Sequence, residues 1–295
     1  MHPDDDWHLT EDIDDFLTRA GDFLRSRPAL HNTPLTVIEK LRTCPDAFGA
    51  EATLFGRLES GGKVHAVFYR LPSHRLTLTA LSPEQAEALA AHLANLGHPL
   101  SGVLADHDTA TAFAETWQRH TGAAPVPNWR ARLYRLGTLT PPQPRPEGRG
   151  RVMGAQDHEQ LVGWCREFCA DVGENVSIDA IDAGSWADTR FADKHFTFWE
   201  TPDGTAVSMA GSTSMVGGMV RVDPVYTPAH LRGRGYAGAV TVAVSRAALT
   251  AGATDVVLFA DPANLTSNAL YQRIGYVPVT EFAGYGFSYD APEAG

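Results

Sequence analysis

Residues 230 to 240 read HLRGRGYAGAV, and within them Gly233, Gly235 and Gly238 are spaced G-x-G-x-x-G. Glycines so placed accept φ > 0 and let backbone N–H groups approach a ligand closely. A helix starting among them turns its positive end towards whatever sits there. The chemistry on offer is the holding of a diphosphate, and the glycines alone do not say which diphosphate.

Two ligands compete. A dinucleotide is held by a G-x-G-x-x-G that directly follows a strand, with an acidic residue about twenty residues on. Asp261, closing DVVLFAD, could serve as that residue. Counted from Arg232, the same loop spells R-x-x-G-x-A, a pyrophosphate loop for acetyl-coenzyme A (acetyl-CoA). Three features favour acetyl-CoA. The strand MVRVDPVYT ends at Thr227 and PAHLR intervenes before Gly233. Arg232 and Arg234 offer charge to several phosphates. The stretch NLTSNALYQRIGY, Asn264 to Tyr276, also follows as a signature that a nicotinamide enzyme would not need.

The element pattern positions these residues. In the C-terminal half, RVMGA reads as a strand and DHEQLVGWCREFCADV as an amphipathic helix. Strands around HFTFWE, TAVSMAG and MVRVDPVYT follow, then the glycine loop and a helix AGAVTVAVSRAALTAG that stops at Gly252. The strand DVVLFAD, the helix TSNALYQRIG and strand-like VPVTEF and GYGFSYD complete the half. The N-terminal half repeats this order loosely. A helical region spans 11–48, FGRLES and KVHAVFYR pair through a Gly-Gly turn, and RLTLTAL, SPEQAEALAAHLANLG, SGVLA and TATAFAETWQRHTG follow. Trp117-Gln118-Arg119 stands where the second copy has Tyr271-Gln272-Arg273, and the junction TALSPEQ carries no glycine loop. The expected fold class is α/β with mixed sheets, arranged as domain 1–137, a Pro- and Gly-rich linker 138–150 and domain 151–295.

Here the sequence resembles the GNAT superfamily of acetyl-CoA-dependent N-acetyltransferases, from about residue 149 to 290 and most densely from Val222 to Pro278. VDPVYTPAHLRGRGYAGAV resembles that family's strand, pyrophosphate loop and helix start, and NLTSNALYQRIGY its second motif. The whole chain resembles two-domain members with a degenerate N-terminal copy. The resemblance implies a tandem fold of two mixed sheets flanked by helices, with acetyl-CoA as acyl donor and no metal. It places the diphosphate on Arg232, Gly233, Arg234, Gly235, Tyr236, Ala237 and Gly238. The pantetheine arm lies along Val225, Tyr226 and Thr227, with Asn264 and Asn268 nearby; capping of the last helix is the other role open to those asparagines. Tyr271 is implied as the general acid that protonates the leaving thiolate.

The sequence departs from the family pattern where a catalytic Glu often stands, since those positions are Met219, Arg221 and Phe259. Asp223 is the nearest carboxylate candidate for the base; a water chain, His195 and Glu200 are the other options. The acceptor is expected to be a small primary amine. The carboxylates from Asp157 to Asp188 would suit a cation, or form a solvated face. An inactive acetyl-CoA-binding module and, more remotely, a dinucleotide-dependent oxidoreductase are the other classes.

Composition narrows the rest. Hydrophobic residues make 43% and charged residues 20% of 295, as in a globular protein. A net charge of −11 sets the chain against nucleic acid. No stretch reads as a membrane span, and the start MHPDDDWHLTEDIDD is acidic where a secretion signal is basic, so the cytoplasm is the expected location. Cys44, Cys165 and Cys169 form no CxxC pair and read as packing residues. The oligomeric expectation is a monomer or homodimer.

Overall fold

The computed structural model describes residues 6–45, 47–49, 52–71, 75–97 and 99–289. The first five residues and residues 290–295 lie outside it, as does Asp290 of the GYGFSYD segment. The chain forms two compact units, one of residues 1–133 together with 279–295, the other Tyr134–Pro278.

The first unit begins with β1 (Asp6–Thr10), a strand the composition did not suggest, and helices α1 (Ile13–Ser26) and α2 (Asn32–Thr43). The hairpin β2 (Leu54–Ser60) and β3 (Lys63–Arg70) turns on Gly61 and Gly62 at φ 57° and 75°, as the Gly-Gly pair requires. β4 (Leu76–Leu78), α3 (Pro83–Asn95), β5 (Gly102–Asp106), α4 (His107–Thr121) and β6 (Ala124–Leu136) follow. β1 to β4 pair antiparallel in order, and β4 pairs β5 in parallel. The unit's core includes Leu89, Val103, Phe113 and Trp117.

In the second unit β7 (Arg149–Val152) and helices α5 (His158–Val172) and α6 (Asn175–Asp182) precede β8 (His195–Glu200), β9 (Ala206–Ser212) and β10 (Met219–Tyr226). α7 (Tyr236–Thr250), β11 (Asp255–Ala260) and α8 (Leu265–Arg273) come next, and β12 (Tyr276–Ser288) leaves the unit at Pro278. The strand order is β11-β10-β9-β8-β7, with β10 and β11 parallel and the others antiparallel. Side chains alternate between two cores. Trp199, Ala210, Val220 and Val222 meet α7 residues such as Val240 and Val244, while Phe198, Met209 and Tyr226 meet Leu161, Trp164 and Cys165 of α5. Each unit is thus α/β, a mixed sheet with helices.

Two boundaries differ from the sequence expectation. VPVTEF and GYGFSYD form one strand, and its residues from Phe282 pair antiparallel with β5 of the first unit. Chemistry on that strand explains the assignment. Glu281 accepts from Arg130 at 2.8 Å and Arg132 at 2.7 Å, and the Tyr289 hydroxyl donates to the Leu100 carbonyl at 2.9 Å. The stretch 138–150 is not an unpacked linker. Thr140 N–H donates to Ile274 at 3.0 Å, the Trp199 indole donates to the Glu147 carbonyl at 3.1 Å, and β7 already begins at Arg149.

β10 carries a bulge. Val222 pairs with Ser212 and Val225 with Ala210, so Asp223 and Pro224 stand opposite Gly211 alone, across a cis Asp223–Pro224 bond. The extra residue flips the alternation, which turns Val225 towards the α7 core and Tyr226 towards the α5 core. Gly211 makes room for it, since a Cβ there would lie 2.7 Å from the Asp223 carbonyl oxygen and 2.9 Å from Pro224 Cδ. A Gly211→Val substitution is expected to destabilise the fold by about 1–3 kcal/mol, measured as a lower denaturation midpoint; a midpoint like that of the unsubstituted protein would deny the bulge this steric requirement.

Candidate active site

β10 and β11 pair only through Met219–Asp255, Val220–Val256 and Arg221–Val257, although β10 continues to Tyr226 and β11 to Ala260. Past Arg221 the two strands part, beside the bulge. The diverging end of β10 leads through Thr227 and a short turn, Ala229–Leu231, into the glycine loop. Gly233 and Gly235 have φ of 78° and 81°, and Gly235 is the N-cap of α7.

No side chain caps α7, and its first turn holds no acidic residue. Its leading N–H groups have no partner within the helix and point outwards. The counterpart helix of the first unit is closed. Ser82 Oγ accepts from Gln85 N–H at 3.3 Å, Gln85 Oε1 accepts from Ser82 N–H at 3.1 Å, and Glu84 stands in the first turn. The N-terminus of α7 is left open to an outside acceptor, whereas that of α3 is closed by its own side chains.

α8 carries Tyr271, close enough to Asp223 to feel its charge. Asn264 caps the helix by accepting from Ser267 N–H at 3.0 Å. Asn268 is buried and fully used: its amide donates to the carbonyls of Asp261 at 2.8 Å and Asn264 at 2.7 Å, and its Oδ1 accepts from the Tyr134 hydroxyl at 2.6 Å. Tyr271 packs its ring against Tyr134 and Tyr276, at centroid distances of 6.3 and 6.1 Å. Burial, reinforced by the negative charge of Asp223, raises the phenol above its ordinary value, so it stays protonated and able to donate through neutral pH. Trp117, its counterpart in the first unit, is buried and donates its indole N–H to Tyr289 at 3.1 Å, which is a packing role.

Asp223 does not stand open as a base. Arg190 Nη1 contacts its Oδ2 at 2.6 Å and Lys194 bonds the same oxygen. Burial alone would raise this carboxyl, but Lys194, Arg190 and Arg221 together hold it far below the usual carboxylate range, which makes it a weak proton acceptor. Burial in turn pushes Lys194 down to about 8. Glu200, the second carboxylate option, is held by Arg149 at 3.2 Å and Arg151 at 2.9 Å, and His195 Nε2 lies 3.1 Å from Ser214 Oγ.

Other expected site residues are also engaged. Arg232 donates Nε–H to the Thr227 carbonyl at 2.9 Å, pairs with Asp171 and lies over the Tyr226 ring. Arg234 is exposed, its nearest acceptor the His230 carbonyl at 3.5 Å. The Tyr226 hydroxyl donates to Glu167 at 2.5 Å, and Ser208 Oγ donates to the Tyr226 carbonyl at 2.9 Å and lies 2.8 Å from Thr227 Oγ1. Val225 is half-buried against the α7 core. Several rim carboxylates work internally: Asp157 pairs with Arg151, Asp182 with Arg166, and Glu174 caps α6 at Ser177. Asp261 Oδ1 accepts from Ala263 N–H at 2.8 Å, closing its own turn. Cys165 and Cys169 are buried, free thiols. Among the described residues no group of three or more His, Cys, Asp or Glu could hold a metal, and no helix is long and apolar enough to cross a membrane. Sequence reasoning missed Arg190, Lys194 and Tyr134; only Tyr134, in the alternating run RARLYRL, carried a readable signal.

The FR47-like protein family model matches residues 212–282, from the end of β9 into β12. No curated protein matches the sequence. Among solved structures, a GCN5-related N-acetyltransferase from Sphaerobacter thermophilus aligns at 14% identity over 99% of both chains with a TM-score of 0.55. A GNAT-family acetyltransferase from Colwellia psychrerythraea aligns at 10% over 96% of this chain and 100% of that one, TM-score 0.56. A tandem GNAT protein from the clavulanic acid biosynthesis pathway aligns at 14% over 97% and 100%, TM-score 0.52. The chain shares the fold of these acetyltransferases over nearly its whole length.

Asn268 is the joint that fixes Tyr271. An Asn268→Ala change is expected to cost about 1–3 kcal/mol, read as a fall in melting temperature, because it leaves the buried Tyr134 hydroxyl without its acceptor and removes two side-chain bonds to the carbonyls of Asp261 and Asn264. Ser267→Ala, whose backbone rather than hydroxyl is used, should stay within about 0.5 kcal/mol; equal losses would refute the assignment.

Proposed function

We propose that the Tyr134–Pro278 unit is an acetyl-CoA-dependent N-acetyltransferase that moves the acetyl group directly to a primary amine. The observation that carries this reading is the uncapped N-terminus of α7, which follows the end of β10 beyond its last pair with β11 and has Leu270 and Ile274 near Gly238. The diphosphate takes hydrogen bonds from the loop Gly233–Gly238, with Tyr236 and Ala237 supplying first-turn N–H groups. Exposed Arg234 adds charge. Arg232, held by Asp171, shapes the loop, and Val225 to Thr227 offer the strand edge to the pantetheine arm. Asn264 and Asn268 act on α8 and Tyr271, not on the donor.

In the reaction the neutral amine attacks the thioester carbonyl carbon, forming a C–N bond and a tetrahedral oxyanion. Collapse breaks the C–S bond, and the departing sulfur takes the Tyr271 proton, which solvent later restores. The ammonium proton of the acceptor leaves through water, because Asp223 is held ionised by two cations; its proposed work is to fix the bulge. No cysteine stands in either motif, in keeping with transfer without an acyl-enzyme. The internally paired carboxylates give no argument for a cationic acceptor over a neutral one. The first unit, with its closed helix end, is proposed to bind no donor.

Tyr271→Phe keeps the ring packing and removes the proton. Its kcat for acetylation of a responsive amine should fall by about 10²-fold or more while calorimetry shows unchanged acetyl-CoA affinity. Undiminished transfer would remove Tyr271 as the acid, and binding without transfer by the unsubstituted protein would mark a donor-binding module. Because the phenol is raised, the rate should not decline through its ionisation below about pH 9.5. A fall centred near pH 8 that the Tyr271→Phe substitution abolishes would contradict this.

A further inference from the structure

The two faces of the second unit's sheet differ in what they offer the reaction. Tyr271 belongs to the core that α7 covers, and the donor proposed above rests on the N-terminus of that helix, so this face is filled. On that reading the acceptor amine reaches the thioester from the other face, which α5 covers. There the last side chain of β10 is Tyr226, buried against Trp164 with the Arg232 guanidinium over its ring. Its hydroxyl donates to Glu167 Oε2 at 2.5 Å, which fixes the carboxylate of an exposed α5 residue against the end of β10.

Glu167 stands apart from the other carboxylates at this end of β10. Asp223 is neutralised by Arg190 and Lys194, and Asp171, one turn further along α5, by Arg232. Glu174 caps α6 and lies 3.7 Å from Arg190. Glu167 has a neutral phenol as its partner and no Lys, Arg or His within ion-pair distance among the described residues. The phenol does not take protons itself. Burial, with Glu167 and Asp171 adding negative charge, raises Tyr226 above its ordinary value, so it stays a donor. Its hydrogen bond occupies one acceptor position of the carboxylate and leaves the others open to water.

We propose that Glu167 is the proton acceptor for the incoming amine, acting through one bridging water. The inference rests on the transfer reading given above and names where the acceptor's proton goes. The water takes one proton from the acceptor's ammonium and passes one to a Glu167 oxygen, leaving a neutral amine and a carboxylic acid. The amine attacks, and its second surplus proton is released to solvent as the C–S bond breaks. Glu167, being exposed, returns its own proton to solvent. The titratable and charged groups around the Tyr226–Glu167 bond are Tyr226 of β10, Arg232 of the glycine loop and Asp171 of α5. Arg232 and Asp171 pair with each other, so Glu167 is the charge left unspent there.

The test follows kcat/KM against pH on the full chain, with whichever of n-butylamine, ethanolamine, 1,4-diaminobutane and lysine the unsubstituted protein acetylates best. Glu167→Gln keeps an oxygen for the Tyr226 hydroxyl and removes the base. At about pH 7, where these amines are ammonium ions, it should lower kcat/KM by about 10²-fold. Its melting temperature and its acetyl-CoA affinity by calorimetry should not change. The defect should shrink towards none near about pH 10, where the amine becomes neutral without help. Glu167→Asp should recover part of the loss, and Glu159→Gln, exposed in the first turn of the same helix, should leave the rate unchanged. A Glu167→Gln rate within about threefold of the unsubstituted one at about pH 7 would overturn the assignment. So would a loss of equal size at every pH, which marks a positioning role through Tyr226. A protein that binds acetyl-CoA and acetylates none of these amines would overturn the transfer reading, and this inference with it.

Discussion

Everything proposed for the second unit depends on β10 leaving β11. Three parallel pairs hold the strands together as far as Arg221 and Val257, and then β10 gains a residue. The bulge at Asp223 and Pro224 needs the bare backbone of Gly211 opposite it and the two cations of Arg190 and Lys194 on its carboxylate. A sheet that stayed paired to Tyr226 would bury the edge groups of Val225 to Thr227 in ladder hydrogen bonds. It would also turn Tyr226 into the wrong core. The ion pairs matter here less as stability, which exposed and half-buried pairs supply sparingly, than as a fixed local shape.

The second constraint is an electrostatic contrast between two helix ends. α3 and α7 each follow a strand in their own unit, yet Ser82, Glu84 and Gln85 satisfy the first while two left-handed glycines leave the second open. The same comparison holds one helix later. Trp117 and Tyr271 both lie buried on a helix with the pattern aromatic-Gln-Arg, but the indole is committed to Tyr289. In the first unit the corresponding helix end and aromatic side chain are both committed to the fold.

The α/β class, the tandem order and the glycine loop were legible in the sequence because periodicity and glycine spacing are local properties. The Pro-rich stretch 138–150 misled for the same reason: proline removes N–H donors but does not prevent packing, and Thr140, Pro142 and Glu147 all find partners in the second unit. β12 could not be assigned to the first unit, since its clamp of Glu281 between Arg130 and Arg132 joins residues about 150 apart. Asp223 looked like a base because proximity in sequence to the loop was visible and its two cations, 33 and 29 residues away, were not. Asn264 and Asn268 read as ligand contacts or caps, and the geometry gives both to the scaffold of Tyr271.

Amide hydrogen exchange with and without acetyl-CoA tests most directly the claim that the donor rests on the open end of α7. Slowed exchange at Arg232–Ala239 and along Val225–Thr227, with no change at Ser82–Gln85, is the predicted result. Protection at Ser82–Gln85 instead, or none at the glycine loop under saturating donor, would contradict it.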